Sequence, residues 1–313
     1  MKQEEIYEKI TQTIIAWLET SKDDVSWQKQ WKYFAGNNHK SILNRPYQGV
    51  NQLLCGLTAH KNNWESKTWA TFNQWNKMGH KIKRGSSGTN VIKLLKFAVK
   101  EKDNSGKEIT KGTFASMKFF TVFNGNQVEN YSGDLEIVEP KLLWSPEDFA
   151  MIDNRAKELG VVLKDGENKC YFSPSEDYIG MPQKFQFKKP EHYYASFLHE
   201  LTHWTDKENR SPREEKIKKI FGGGSRFSEE NYAFEELVAE IGSAFLLSHY
   251  NLETDSQMRE DHIPYIKSWI KSLKSDNKMI VKAASYAQSA CNYITGQSYS
   301  TIEEKPKEGE SDV

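Results

Sequence analysis

His199, Glu200, Leu201, Thr202 and His203 stand consecutively in the chain. Helix residues i and i+4 lie one turn apart on the same face, so both imidazoles can reach one metal ion. The glutamate between them can then reach a water activated by that ion. The chemistry proposed by this spacing is metal-assisted hydrolysis. A catalytic zinc takes three protein ligands and keeps one position open, so a third ligand must come from elsewhere. The stretch FEELVAEIGSAFLL offers Glu235, Glu236 and Glu240. On a helix, Glu236 and Glu240 share a face, whereas Glu235 sits ~100° round from Glu236 and cannot point the same way. We assign Glu236 as the third ligand. Glu240 then accepts a proton from a ligand imidazole and orients its ring. Glu200 is the general base, taking a proton from water and passing it to the leaving amine. Val238, Ile241, Ala244, Phe245 and Leu247 already form an apolar face on that helix. Carboxylates beside such a face are costly unless a metal or hydrogen bonds meet them. The expected cofactor is one Zn2+ per chain, another divalent metal being the alternative. Tyr265 and His262 are the candidates for a further donor to the oxyanion. No cysteine lies near the histidine helix, which argues against a structural four-ligand zinc.

The elements that must position these groups are legible in outline. Pro190 and Glu191 open the histidine helix. A polar insertion, DKENRSPREEKIKKIFGGGSRF, follows, with Gly222–Gly224 as its mobile point. The glutamate helix runs from about Glu229 to Tyr250 with Ser228 as its cap. Two more helices are expected over 256–274 and 277–295. Upstream, Ser145, Pro146, Glu147 and Asp148 start a helix that Gly160 ends. A hairpin in VVLKDGENKCYF, centred on Asp165-Gly166, comes next, and a short strand in DYIGM. EPKLLWSP at 139–146 is the junction between two halves. In the first half, residues 3–20 form an amphipathic helix with Ile6, Ile10, Ile14, Trp17 and Leu18 on one stripe. Residues 47–60 form a second helix, and Thr68 caps a third, WATFNQWNKM. A basic glycine loop, HKIKRGSSG, then enters a hairpin whose strands flank KEKDNSGKEITKG. This half reads as a compact α+β domain.

The 313 residues hold 43 Lys+Arg and 43 Asp+Glu. That balance hides an asymmetry: residues 1–133 hold 20 basic and 11 acidic residues (+9), and residues 134–313 hold 23 and 32 (−9). A basic half suits a polyanionic partner. No apolar run reaches the length of a membrane span. The start MKQEEIYEKI lacks the basic and apolar regions of a signal peptide. Cys55, Cys170 and Cys291 are scattered and odd in number, so a cytoplasmic setting without a disulfide framework is expected. The tail EEKPKEGESDV is acidic, lacks packing residues and is expected to be disordered.

YYASFLHELTHW (193–204), YAFEELVAEIGSAFL (232–246) and the segment DHIPYIKSWIKSLKSDNKMIVKAASYAQSACNYI resemble the metallopeptidase domain of ArdC-type antirestriction proteins. NRPYQGVNQLL, SKTWATFNQWNKMGHKIKRGSSGTNVI and FFTVFN resemble the single-stranded-DNA-binding domain of that family. The resemblance covers nearly the whole chain except the tail. It implies an α+β protein of two domains, a small α+β single-stranded-DNA-binding domain over 1–138 and a zincin-like metallopeptidase domain over 139–300, with the tail at 301–313. It implies carriage by a conjugative or mobile element and protection of entering DNA from restriction. Metal-ligand roles carry over to His199, His203 and Glu236, and the general-base role to Glu200. The lysine-rich segment EEKIKKIFGGG departs from the family pattern. The partners implied are single-stranded DNA, bound without sequence preference, and a DNA-associated protein substrate. Cationic grooves and aromatic rings hold single strands. Lys81, Lys83 and Arg84 supply charge beside Gly85 and Gly88. Trp31, Tyr33, Tyr47, Trp69, Phe72 and Trp75 are the stacking candidates, and Asn51 a sugar or phosphate contact. Two other readings stand beside this one: a DNA-protecting module whose metal is structural or regulatory, and an accessory module of a conjugative primase.

Overall fold

The computed structural model describes residues 3–21, 39–102, 108–133, 146–226, 228–250, 252 and 263–297. Helix α1 (Gln3–Ser21) follows its apolar spacing. Ile6, Ile10, Ile14 and Leu18 are buried, and Trp17 is half-buried. β1 (Lys40–Ser41), β2 (Thr68–Thr71), β3 (Thr89–Lys102) and β4 (Glu108–Asn124) form one sheet in the order β1-β2-β4-β3. The expected hairpin is β3 against β4, antiparallel, with Thr89 opposite Val122. Helix α2 (Val50–Lys61) packs on β3. It starts later than position 47 because Gly49, at φ 55, turns the chain just before it.

The third helix is shorter than its sequence suggests. Thr68 does not cap it, because the β-branched and aromatic residues Thr68–Thr71 pair as β2 with β4. The cap is Thr71, whose hydroxyl accepts from the Gln74 N–H while the Gln74 side chain returns the bond, and α3 spans Phe72–Lys77.

In the second half, α4 (Pro146–Glu158) ends just before Gly160, which has φ +75. The expected hairpin over 161–172 is corrected. β5 (Val162–Asp165) and β6 (Tyr171–Ser173) do not pair with each other. β7 (Tyr178–Met181) lies between them, parallel to β5 and antiparallel to β6. Gly166 does turn the chain, at φ +92, but its N–H and that of Glu167 bond Met181 O on β7. Helix α5 (Pro190–Trp204) carries the histidines, and α7 (Glu229–His249) the glutamates. Between them the polar insertion folds as α6 (Glu214–Ile220), with Ile217 and Arg213 buried. The glycine run is tied: Asn231 donates to Gly223 O and Ser225 O. Ser228 sits at the N-cap of α7 without a side-chain cap bond. α8 (Ile263–Ser275) and α9 (Met279–Thr295) follow.

The junction at 139–145, the tail, Trp31, Tyr33, Ser145 and His262 lie outside the described residues, as does the side chain of Tyr265. The main core joins both halves. It takes in Ile14 of α1, Leu53 of α2, Leu198 of α5, Leu246 of α7 and Ala284 of α9. α1 packs chiefly on α8. Among the described residues, no helix is long and apolar enough to cross a membrane.

Candidate metal centre

The site is built where α5 and α7 cross. Gly242 of α7 lets them touch: a Cβ there would lie 2.5 Å from Thr202 Cγ2 and 2.9 Å from its Oγ1. The Ser243 hydroxyl donates to Ala195 O at 3.2 Å, a second tie between the helices. Thr202 is itself the fourth residue of the histidine pentapeptide, so the close approach is set at the motif.

That crossing brings His199, His203 and Glu236 together, all three buried, with one donor atom from each within 4.8 Å of the others. The two Nε2 atoms are 3.2 Å apart. Glu236 faces both, with Oε2 at 3.4 Å from His199 Nε2 and Oε1 at 3.4 Å from His203 Nε2. Each ring has its own carboxylate behind it. Glu240 Oε1 is 3.2 Å from His199 Nδ1. Glu235 Oε1 is 3.0 Å from His203 Nδ1. Glu200 is buried on α5 beside His199.

On the helix Glu235 diverges from Glu236 and cannot share its ligand position. The divergence is real, and it is what delivers this carboxylate to the far side of the second imidazole. The helical offset was the available signal. Arg213 gave no signal: it sits in a charged, loop-like stretch and is 1% exposed as a side chain. Its guanidinium forks onto Glu235, with Nε to Oε2 at 2.8 Å and Nη2 to Oε1 at 2.6 Å. It also donates to Thr202 O and Thr205 Oγ1. Asp206 anchors this arm, its Oδ1 accepting from the Arg213 and Glu214 N–H groups at the start of α6. Arg226 bridges Asp206 and Glu214.

The carboxylates draw positive charge into the site. Burial pushes the His203 imidazolium down, but Glu235 and Glu236 more than offset it and hold its pKa at about 10. Burial would raise the Glu235 carboxyl, yet Arg213 and His203 bring it to about 2. Burial likewise opposes ionisation of Glu236, and bonds from His199 and His203 hold it well below the ordinary range. Arg213 balances Glu235. Glu200, Glu236 and Glu240 are buried around the two imidazoles, and without a metal the positive charge beside Glu236 is the protonated His203, whose proton a bound metal would replace. Two nitrogens and one oxygen converging on a point suit a divalent metal.

The expected DNA contacts divide sharply. Lys81, Lys83 and Arg84 are exposed, with Lys83 Nζ donating to Asn126 O at 2.8 Å. Phe72 is exposed on α3. Trp69 and Trp75 are corrected as stacking rings: both are fully buried. Trp69 Nε1 donates to His39 Nδ1, and Trp75 Nε1 to Phe123 O. Tyr47 is half-buried and packs on the cluster around Trp69. Asn51 is engaged by β3, donating to Ile92 O at 2.7 Å and accepting from Ile92 N at 2.8 Å, so its amide serves the fold.

Comparison with known proteins agrees with both halves. Residues 4–123 match the family described as the N-terminal domain of anti-restriction factor ArdC. Residues 150–286 match the zincin-like metallopeptidase family. The chain is 29% identical over 303 residues to the uncharacterized protein y4eC of Sinorhizobium fredii, covering 94% of this chain and 92% of that one. It is 27% identical to DNA primase TraC of Escherichia coli, with 96% of this chain covering 28% of the primase. The fold resembles crystal structures of the antirestriction protein ArdC from the R388 plasmid. The metal-free form has a TM-score of 0.73 at 28% identity, covering 92% of this chain and 96% of that one. The Mn(II)-bound form has a TM-score of 0.69 at 30% identity, covering 93% and 97%.

Proposed function

The chain belongs to the ArdC-type antirestriction family, and from that membership we propose that it protects DNA entering a cell with a conjugative or mobile element. In this reading it acts in the cytoplasm, binds single-stranded DNA without sequence preference, and hydrolyses DNA-associated protein at a zinc-dependent peptidase site. The observation that carries the hydrolytic part is the convergence of His199, His203 and Glu236 with a glutamate, Glu200, inside the same helical turn.

His199 Nε2, His203 Nε2 and a Glu236 oxygen would hold the metal. When bound, the ion supplies Lewis acidity to a scissile carbonyl and to a water. Glu240 and Glu235 fix the two rings by their Nδ1 atoms, so each Nε2 offers a lone pair toward the site. Glu200 accepts the proton of the attacking water on its carboxylate and returns it to the leaving amine. Mobile-element carriage is supported by the similarity to a plasmid antirestriction protein and to a segment of TraC. The TraC match also favours a second reading, an accessory module of a primase, since the whole chain corresponds to about a quarter of that protein.

The test is transfer of unmodified DNA into a restricting recipient with wild-type protein or Glu200→Ala. The variant is expected to retain metal and DNA binding and to lose protection. Full protection by Glu200→Ala would show that protection does not run through hydrolysis.

A further inference from the structure

With Trp69, Trp75 and Asn51 committed to the fold, the basic half needs another surface on which a strand could lie. One groove has the right chemistry. It runs between α1, the end of α2 and the glycine loop at 83–90, and encloses about 1070 Å³. Small-molecule clefts are usually roughly 300–1,000 Å³. Lys9 of α1, Lys61 of α2 and Lys83 of the loop line its three sides. No Asp or Glu is among the described residues that line it. In a chain with equal numbers of acidic and basic residues, a large groove free of carboxylates is a local concentration of positive potential.

The apolar part of the lining is aromatic. Trp17 and Trp64 both line the groove, and Trp64 is half-buried. Its ring is held 6.0 Å from the buried Trp69, at an interplanar angle of 64°. An indole anchored at its edge on a core residue is a rigid platform with little entropy left to lose. The glycine loop is equally fixed. A Cβ on Gly88 would lie 2.2 Å from Thr121 Cγ2, so the loop is pressed onto β4. Gln127 Nε2 donates to Ser87 O and Lys83 Nζ to Asn126 O. That bond uses one of the three Lys83 donors and leaves two for a phosphate.

We propose that this groove seats a single DNA strand, with Lys9, Lys61 and Lys83 on phosphates and Trp64 stacked on a base. The proposal rests on the single-stranded-DNA reading above and locates it. Fixed cations beside an aromatic platform are the means by which single strands are held without sequence preference. A duplex offers no free base faces for the indole.

The test uses the full chain and a fluorescein-labelled oligodeoxythymidine, with anisotropy read across a salt series. Trp64→Ala is expected to weaken binding about five- to a hundredfold, the range for loss of one stacked base. Because Trp64 also packs on Trp69, Lys61→Glu at an exposed position is the fold-neutral companion. It should weaken binding and lower the slope of log affinity against log salt by about 0.7. Lys157→Glu, an equal charge change at an exposed position of α4, should leave both unchanged. If wild type binds the oligonucleotide while Lys61→Glu and Trp64→Ala bind equally well, the groove assignment is overturned and the DNA reading survives. If wild type fails to bind, the DNA reading fails and the proposal with it. An unlabelled duplex that competes as well as the single strand overturns the choice of occupant.

Discussion

At the scale of residues, the site is two imidazoles, each backed by a carboxylate, with one of those carboxylates backed by a buried arginine. Arg213 places Glu235, and Glu235 places His203. Lysine at 213 would keep the charge but cannot fork across two carboxylate oxygens. Arg213→Lys should therefore weaken metal binding by about ten- to a hundredfold, as loss of an orienting partner does. Calorimetric titration of metal into apo-protein reads this directly, and an unchanged affinity would remove Arg213 from the site. His39, buried against Trp69, adds an acid-sensitive contribution to stability. Burial, helped by Lys67, lowers the pKa of His39 to about 3. The unfolded chain takes up this proton near its ordinary pKa of about 6.5. Its contribution to stability is thus complete above about 6.5 and is lost as the pH falls toward 3. Between pH 7.5 and 5, wild type should lose about 2 kcal/mol more than His39→Gln in urea unfolding. Equal losses would mean that the imidazole is not held neutral.

At the scale of elements, legibility followed periodicity and capping chemistry. The pentapeptide, the glutamate helix, the β3–β4 hairpin and the Pro190 start all carry local signals and appear where those signals lie, except that β3 and β4 run on into the segment read as their connection. Thr71 shows how a local rule can be read one step too early: two threonines compete for the cap, and pairing of Thr68–Thr71 with β4 decides between them. β7 shows what local rules cannot supply, since insertion of a later strand between β5 and β6 is a long-range event. Burial of Trp69, Trp75 and Arg213 depends on tertiary packing in the same way. Gly242 links this scale to the chemistry, because its missing side chain sets the separation of α5 and α7. Thr202 is β-branched and fully buried, so it cannot swing aside. Gly242→Ala should part the helices and weaken metal binding at least tenfold, while the DNA affinity of the N-terminal half is unchanged. Wild-type metal affinity in this variant would show that the site tolerates a wider crossing.

At the scale of the molecule, a basic half and an acidic half with a candidate hydrolytic centre share one core. Ile14 of α1, Leu198 next to His199 on α5, and Leu246 of α7 belong to the same buried cluster. Lys9, Thr13 and Trp17 of the same helix line the proposed DNA groove. The proposed DNA groove and the candidate metal centre are thus built on elements that share one core. The most direct test is incubation of metal-loaded protein with a protein crosslinked to oligodeoxythymidine, comparing wild type with Glu200→Ala at equal metal content. Fragments are expected from wild type and none from the variant. No fragments from fully metal-loaded wild type, or equal fragments from both proteins, would contradict the proposed hydrolysis.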